Sequence, residues 1–176
     1  MSANIFTDDL RWSETQHTAD WWSPYYLKAF PQLTSIETVR GPSLAQKAGI
    51  DKFVIIRGKR IAVDEKIRRN RPPTDIALEL RHVPTNGEMP WDGWLLKSNQ
   101  FTDYLAVGFA MYRTAFFFPF LSLQAAWLKH GDSWCSKYGV IKAPNPRIEP
   151  RYHTESVCVP TTVLMGCLLD AMRIVL

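Results

Sequence analysis

The chain has 176 residues, of which 46% are hydrophobic and 22% charged, and its net charge is +4. That length suits one domain around one core, and that balance excludes wholesale disorder. The mild positive charge leans toward a polyanionic partner without requiring one.

Aromatic residues make up 12% of the chain and include seven Trp, so a ring-rich core is expected. The three cysteines, Cys135, Cys158 and Cys167, are odd in number and form no CxxC pair. They therefore offer neither a disulfide framework nor a structural zinc site, and they fit a reducing cytoplasm. The first residues, MSANIFTDDLRW, lack the basic start and apolar core of a signal peptide. Two apolar stretches, 104–121 and 157–176, are broken by Arg113, Thr114 and Pro119 and by Asp170 and Arg173. Neither reads as a membrane span, so a cytoplasmic protein with no membrane partner is expected.

In chain order, residues 12–30 space Trp12, Trp21, Trp22, Tyr25, Tyr26, Leu27 and Phe30 as an amphipathic helix, with Pro24 as a break and Pro31 as its end. Residues 34–40 suit a short strand stopped by Gly41-Pro42. Residues 52–57 (KFVIIR) and 60–67 (RIAVDEKI), joined by Gly58-Lys59, read as a β-hairpin. Residues 75–83 (DIALELRHV) predict a third strand, and 101–109 a buried strand. The spacing of Phe120, Leu123, Ala126 and Trp127 predicts a helix over 120–130, with Gly131 as its C-cap. Residues 131–156 read as loop-rich, 157–159 as a strand and 161–173 as a closing helix. The sum is a mixed α/β arrangement.

The hairpin carries the chemistry. With Gly58-Lys59 as the turn, Asp51 faces Lys66 and Phe53 faces Asp64. Directly opposed residues share a face, so Asp51, Asp64 and Lys66 fall together. A four-residue loop preserves that result, whereas a three-residue loop sends Asp51 to the other face. Two carboxylates can hold Mg²⁺ or Mn²⁺ through oxygen, and the backbone carbonyl of Glu65 offers a third ligand. Such a cation polarises a phosphodiester and lowers the pKa of bound water. Lys66 can orient the attacking water or stabilise the developing oxyanion. An acid two residues before a lysine is weak evidence alone, since a chain this long holds about one by chance.

Arg57, Lys59, Arg60, Arg68, Arg69 and Arg71 form a basic run beside the motif, suited to gripping phosphates. Lys97 is a further candidate phosphate contact, and Glu79 has the parity to approach the metal face or to bond across the sheet. His17, His82, His130 and His153 show no metal-binding spacing, and no Walker A or GxGxxG sequence occurs.

The residues Gly49-Ile50-Asp51 followed by Val63-Asp64-Glu65-Lys66-Ile67-Arg68 resemble the signature of the PD-(D/E)XK nuclease superfamily. The stretch LAQKAGID over 44–51 resembles small bacterial and phage members that read LQxxGID followed by VDEKxR. DIALE (75–79), GWLLKS (93–98), TDYLAV (102–107) and PFLSLQAAW (119–127) resemble them in order and spacing, so the likeness covers residues 12–130. Ile50 stands where the signature has proline, and 131–176 matches nothing. The resemblance implies a restriction-endonuclease-like αβββαβ core, a mixed sheet flanked by helices. It implies a single domain over 1–176, with 131–176 an extension of unclear role. Asp51 and Asp64 would bind Mg²⁺ or Mn²⁺, Lys66 would be the catalytic lysine, and Glu14 would be the acid from the first helix. Gln46, Arg57, Lys59, Arg68, Arg69 and Lys97 are the expected DNA contacts. The expected activity is endo- or exonucleolytic hydrolysis of DNA, with a homodimer as a further partner state. The alternative is a member that has lost catalysis and binds nucleic acid or a protein partner, for example an anti-defence factor. A plain structural α/β protein remains if the three side chains point apart.

Overall fold

The computed structural model describes residues 21–39, 43–145 and 151–176. In chain order the elements are α1 (Ser23–Ala29), β1 (Leu33–Thr38), α2 (Leu44–Lys47), β2 (Lys52–Ile56), β3 (Lys59–Arg68), β4 (Asp75–Pro84), β5 (Trp91–Asp92) and β6 (Tyr104–Phe109). They continue with a 3-10 turn (Ala110–Tyr112), β7 (Thr114–Pro119), α3 (Phe120–Tyr138), β8 (Val140–Asn145), β9 (Tyr152–Pro160), α4 (Thr161–Cys167) and β10 (Met172–Val175). The protein is mixed α/β and falls into two units. No helix among the described residues is long and apolar enough to cross a membrane.

The first unit joins the described residues up to Pro73 with Thr102–Phe118 and Ala171–Leu176. Its sheet has the order β1-β2-β3-β6-β7-β10. β1, β2 and β3 are antiparallel neighbours, and β6 runs parallel to β3. Helix α1 carries Pro24 in its first turn, where a missing N–H costs nothing, and stops before Pro31. This is the C-terminal part of the helix expected over 12–30, of which 12–20 lie outside the described residues. Trp22, Tyr25, Tyr26 and Phe30 bury one face of α1 against Val54, Val63, Ala106, Ala115 and Phe117 of the sheet. Burying an aromatic or branched side chain contributes roughly 1.5–3 kcal/mol, so this layer dominates the stability of the unit.

The second unit joins Thr74–Phe101 with Pro119–Asp170. Its antiparallel sheet has the order β5-β4-β9-β8. Ile76 opposes Val159 and Leu78 opposes Val157, and all four are buried. The strand expected over 75–83 is therefore real but pairs with β9, not with the hairpin. The reason is length: β9 offers nine residues of complementary pairing, from Tyr152 to Pro160. As a result the connection from β3 to its parallel neighbour β6 runs through β4 and β5. The described residues 69–103 contain no helix, so the crossover helix of the expected αβββαβ order is absent there.

Three further expectations are corrected. Helix α3 does not stop at Gly131 but continues to Tyr138 and ends at Gly139. Gly131 is buried inside the helix because the Trp127 ring lies over it, 2.8 Å from where a Cβ would stand. Residues 131–156 are mostly ordered as the end of α3, β8 and the start of β9. The closing helix ends at Cys167, and residues 172–175 form β10, antiparallel to β7.

The hairpin turn is Arg57-Gly58, one residue earlier than expected, with Ile56 opposite Lys59. Both turn residues have positive φ, 50° and 77°, as a type I′ turn requires. Arginine in the left-handed region is strained, whereas asparagine adopts it readily. Arg57→Asn is expected to stabilise the protein by about 0.5–1 kcal/mol, read as a higher denaturation midpoint at unchanged m-value.

Candidate active site

Asp51 is delivered by a helix stop. Ser43 caps α2 by accepting from the Gln46 N–H at 3.1 Å. At the other end Gly49, with φ 75°, donates to the Gln46 carbonyl, and Ile50 donates to the Ala45 carbonyl, both at 3.0 Å. These two bonds are the Schellman pair, which needs a left-handed residue at Gly49 and an apolar one at Ile50. The Gly-Ile-Asp sequence thus ends a helix and starts a strand. The Asp51 N–H donates to Val63 O, and the Val39 N–H donates to Asp51 O, each at 2.9 Å.

The β2–β3 pairing ends at Lys52–Val63, and the Asp51 N–H bond to Val63 O departs from that register, so Asp51 stands just past the end of the ladder, next to the Asp64–Glu65 stretch. Asp64 and Lys66 project from the same face of β3, because side chains two apart share a face. Lys66 Nζ donates to Asp64 Oδ1 at 2.5 Å. The Asp51 carboxylate is near enough to Asp64 to push its carboxyl pKa up. The Glu65 N–H donates to Asp51 Oδ2 at 2.8 Å. The turn moved by one residue and the pairing by two, so the paired residues keep their expected parity, whereas Asp51 lies beyond the ladder and not opposite Lys66. The structure brings Asp51, Asp64 and Lys66 together.

Asp64 is 2% exposed. In the parallel ladder it lies beside Leu105, and Lys66 lies beside Val107. Burial among apolar neighbours pushes the Asp64 carboxyl from 3.8 up to about 6; Lys66 pulls it down and Asp51 pushes it up. Two adjacent carboxyl groups, one of them desolvated, favour a proton or a cation between them. This donor set fits a hard divalent ion held through oxygen. Among the described residues no group of three or more His, Cys, Asp or Glu side chains gathers. Mg²⁺ commonly takes one or two carboxylates and keeps several waters.

The other expected residues are dispersed. The Glu65 side chain points to the opposite face of β3, where it is 2% exposed and accepts from the Tyr26 hydroxyl at 2.6 Å. Only its backbone faces Asp51; a strand residue sends N–H and C=O to the same edge, which puts the carbonyl on the Asp51 side of the strand. Gln46 is exposed on α2. Arg57 and Lys59 stand at the hairpin tip, about six residues and roughly 20 Å along the strand from Asp64. Arg60, near them, is engaged by Glu37 at 2.7 Å and lies over the Phe53 ring. Arg68 and Arg69 are exposed just beyond Lys66. The basic run is therefore split between the two ends of β3 and is not one cluster. Lys97 and Glu79 belong to the second unit, where Glu79 lies 4.0 Å from His82 Nε2. Glu14 lies outside the described residues.

Three supporting residues were missed in the sequence. Asp103 joins β6 to β3: its carboxylate accepts from the Ala62 N–H at 2.7 Å and its N–H donates to Ala62 O at 2.9 Å. The Thr102 hydroxyl donates to Gly49 O at 2.6 Å, tying down the loop before Asp51. Tyr26, read only as core, holds Glu65. The polar Thr-Asp pair ahead of a buried strand was the available signal for the first two. A scan against protein-family models and a search of curated proteins both return no match for this chain.

The raised Asp64 pKa has a stability consequence. The folded state binds this proton more tightly than the unfolded chain, so the favourable contribution is complete below pH 4 and disappears as pH rises through about 6. The rise from 3.8 to about 6 is worth roughly 3 kcal/mol. In metal-free buffer, Asp64→Asn is expected to gain stability relative to wild type between pH 4 and pH 6.5 by an amount of that order. Urea melts at the two pH values test this; a pH-independent difference contradicts the assignment.

Proposed function

We propose that this protein is a divalent-metal-dependent nuclease of the restriction-endonuclease-like type that hydrolyses DNA phosphodiester bonds. The observation that carries the reading is the convergence of Asp51, Asp64 and Lys66 on one face of β3. A buried carboxylate near a second carboxylate is costly unless used, and such arrangements concentrate at functional sites. The order α1, β1, α2, β2, β3 and the parallel pairing of β6 with β3 support the fold assignment, without the helix that the αβββαβ order places between them. The resemblance of the Gly-Ile-Asp and Val-Asp-Glu-Lys segments supports the chemistry.

In this reading Asp51 and Asp64 hold Mg²⁺ or Mn²⁺, with the Glu65 carbonyl as a further oxygen. The bound ion supplies Lewis-acid polarisation of the phosphodiester and neutralises its charge. Asp51 is kept in place by the Glu65 N–H, which donates to its Oδ2. Asp64 has one oxygen engaged by Lys66 and is ionised above pH 6. The Lys66 side chain, 36% exposed beside the buried Asp64, reaches both Asp64 and an incoming phosphate. It stabilises negative charge as water attacks phosphorus and the ester oxygen departs with its electron pair. Arg68 and Arg69, next along the strand, grip the flanking backbone of the DNA.

A nuclease assay on plasmid and single-stranded DNA with Mg²⁺ or Mn²⁺ tests this. Asp64→Asn and Lys66→Ala are each expected to lose at least about 100-fold in rate, and EDTA to abolish cleavage. Activity equal to wild type in either variant rejects the mechanism.

Binding can be read separately with a Ca²⁺-loaded protein that does not cut. Replacing Arg68 and Arg69 together by Ala should weaken DNA binding and reduce the slope of log affinity against log salt by roughly two. The pair Arg57→Ala and Lys59→Ala, at the far hairpin end, should leave that slope unchanged. The reverse pattern would assign DNA to the hairpin tip.

A further inference from the structure

Glu65 presents an unusual combination. Its side chain is a carboxylate buried in the aromatic layer under α1, and buried acids are expensive unless hydrogen-bonded. Tyr26, itself fully buried, donates its hydroxyl to Glu65 Oε1 at 2.6 Å. The backbone N–H of the same Glu65 donates to Asp51 Oδ2 on the other side of the strand. One residue therefore links the α1 layer to the candidate metal site. Its chain neighbours are Asp64 and Lys66.

The strand needs such a link at this point. β2 begins at Lys52, opposite Val63. Beyond Val63, among the described residues, β3 has a strand neighbour on the β6 side alone, and the Asp51 carboxylate meets it on the other. A strand laddered on one side can shift its pleat, and a shift at Glu65 rotates Asp64 and Lys66 on the opposite face. Fixing the Glu65 side chain against Tyr26 removes that freedom. An apolar residue at position 65 would fill the same layer without a buried charge, so packing alone does not account for an acid there.

We infer that Tyr26, acting through Glu65, is a positioning residue for the Asp51–Asp64 metal site. This rests on the nuclease reading above and adds to it a residue on the far side of the sheet. Tyr26 touches neither metal nor DNA. It holds the strand so that both carboxylates face one ion.

The test is Mn²⁺ binding by calorimetry, with cooperative thermal melts as a check on folding. Tyr26→Phe keeps the ring and deletes the hydroxyl. It is expected to bind Mn²⁺ about tenfold more weakly, as outer partners of metal ligands typically do when removed. Its kcat on DNA should fall while KM holds. Tyr25→Phe, which removes a hydroxyl one position away in the same buried layer, should match wild type in both. Glu65→Leu gives a second measurement. It should melt at or above the wild-type temperature, because a buried carboxylate is gone, yet bind Mn²⁺ about tenfold more weakly.

Wild-type Mn²⁺ affinity in a cooperatively melting Tyr26→Phe or Glu65→Leu overturns the inference and leaves the nuclease reading intact. Absence of Mn²⁺ binding by the wild-type protein removes the nuclease reading and the inference with it. Failure of both variants to melt cooperatively makes the pair a determinant of the fold, which also overturns the inference.

Discussion

The pairing of Lys52 with Val63, set by a two-residue turn at Arg57-Gly58, is the constraint on which the site depends. Side chains alternate with a period of two along a strand, so a slip of one residue would send Asp51 to the α1 face and leave Asp64 with Lys66 alone. Several contacts oppose that slip. The α1 layer requires Val54 and Val63 inward. The Schellman stop at Gly49 fixes where β2 begins, and the Thr102 hydroxyl pins the Gly49 carbonyl. Hydrophobic burial on one face therefore determines the geometry of carboxylates on the other.

Strand β3 carries a charged group on each face within two residues. Asp64 is desolvated beside Leu105, and Glu65 is desolvated under α1. Each would be unfavourable alone. Lys66 offsets the first, while the neighbouring Asp51 adds to it, and the protonated Tyr26 hydroxyl compensates the second. Burial first, then the Glu65 carboxylate, pushes the Tyr26 hydroxyl well above its ordinary range, which keeps it a donor. Natural sequences tend to keep such costs where function requires them, which is the physical link between these buried acids and a catalytic reading.

The residues that read well in the sequence were those whose pattern was local. The KFVIIR and RIAVDEKI runs announce strands by β-branching, and the parity of the paired residues tolerated the misplaced turn because the pairing shifted by two. Strand 104–109 was visible in its apolar run. What failed were properties set at a distance. Nothing in DIALELRHV distinguishes a partner in the hairpin from a partner in residues 152–160. Gly131 reads as a helix end, and only the Trp127 ring above it explains a glycine inside one. The basic run from Arg57 to Arg71 looked like one cluster because adjacency in sequence hides the length of an extended strand. Tyr26 looked like core, since its hydroxyl partner lies 39 residues away.

By itself, the sequence determined the strand-forming segments and the parity that lets Asp64 and Lys66 share a face. Those follow from local propensity and from strand alternation. Tertiary structure alone decided that β6 and not β4 lies against β3. It also decided that Asp64 is desolvated and that Glu65 is anchored from behind by Tyr26. Those depend on which surfaces meet, and burial and long-range hydrogen bonds have no signature in the order of residues along the chain.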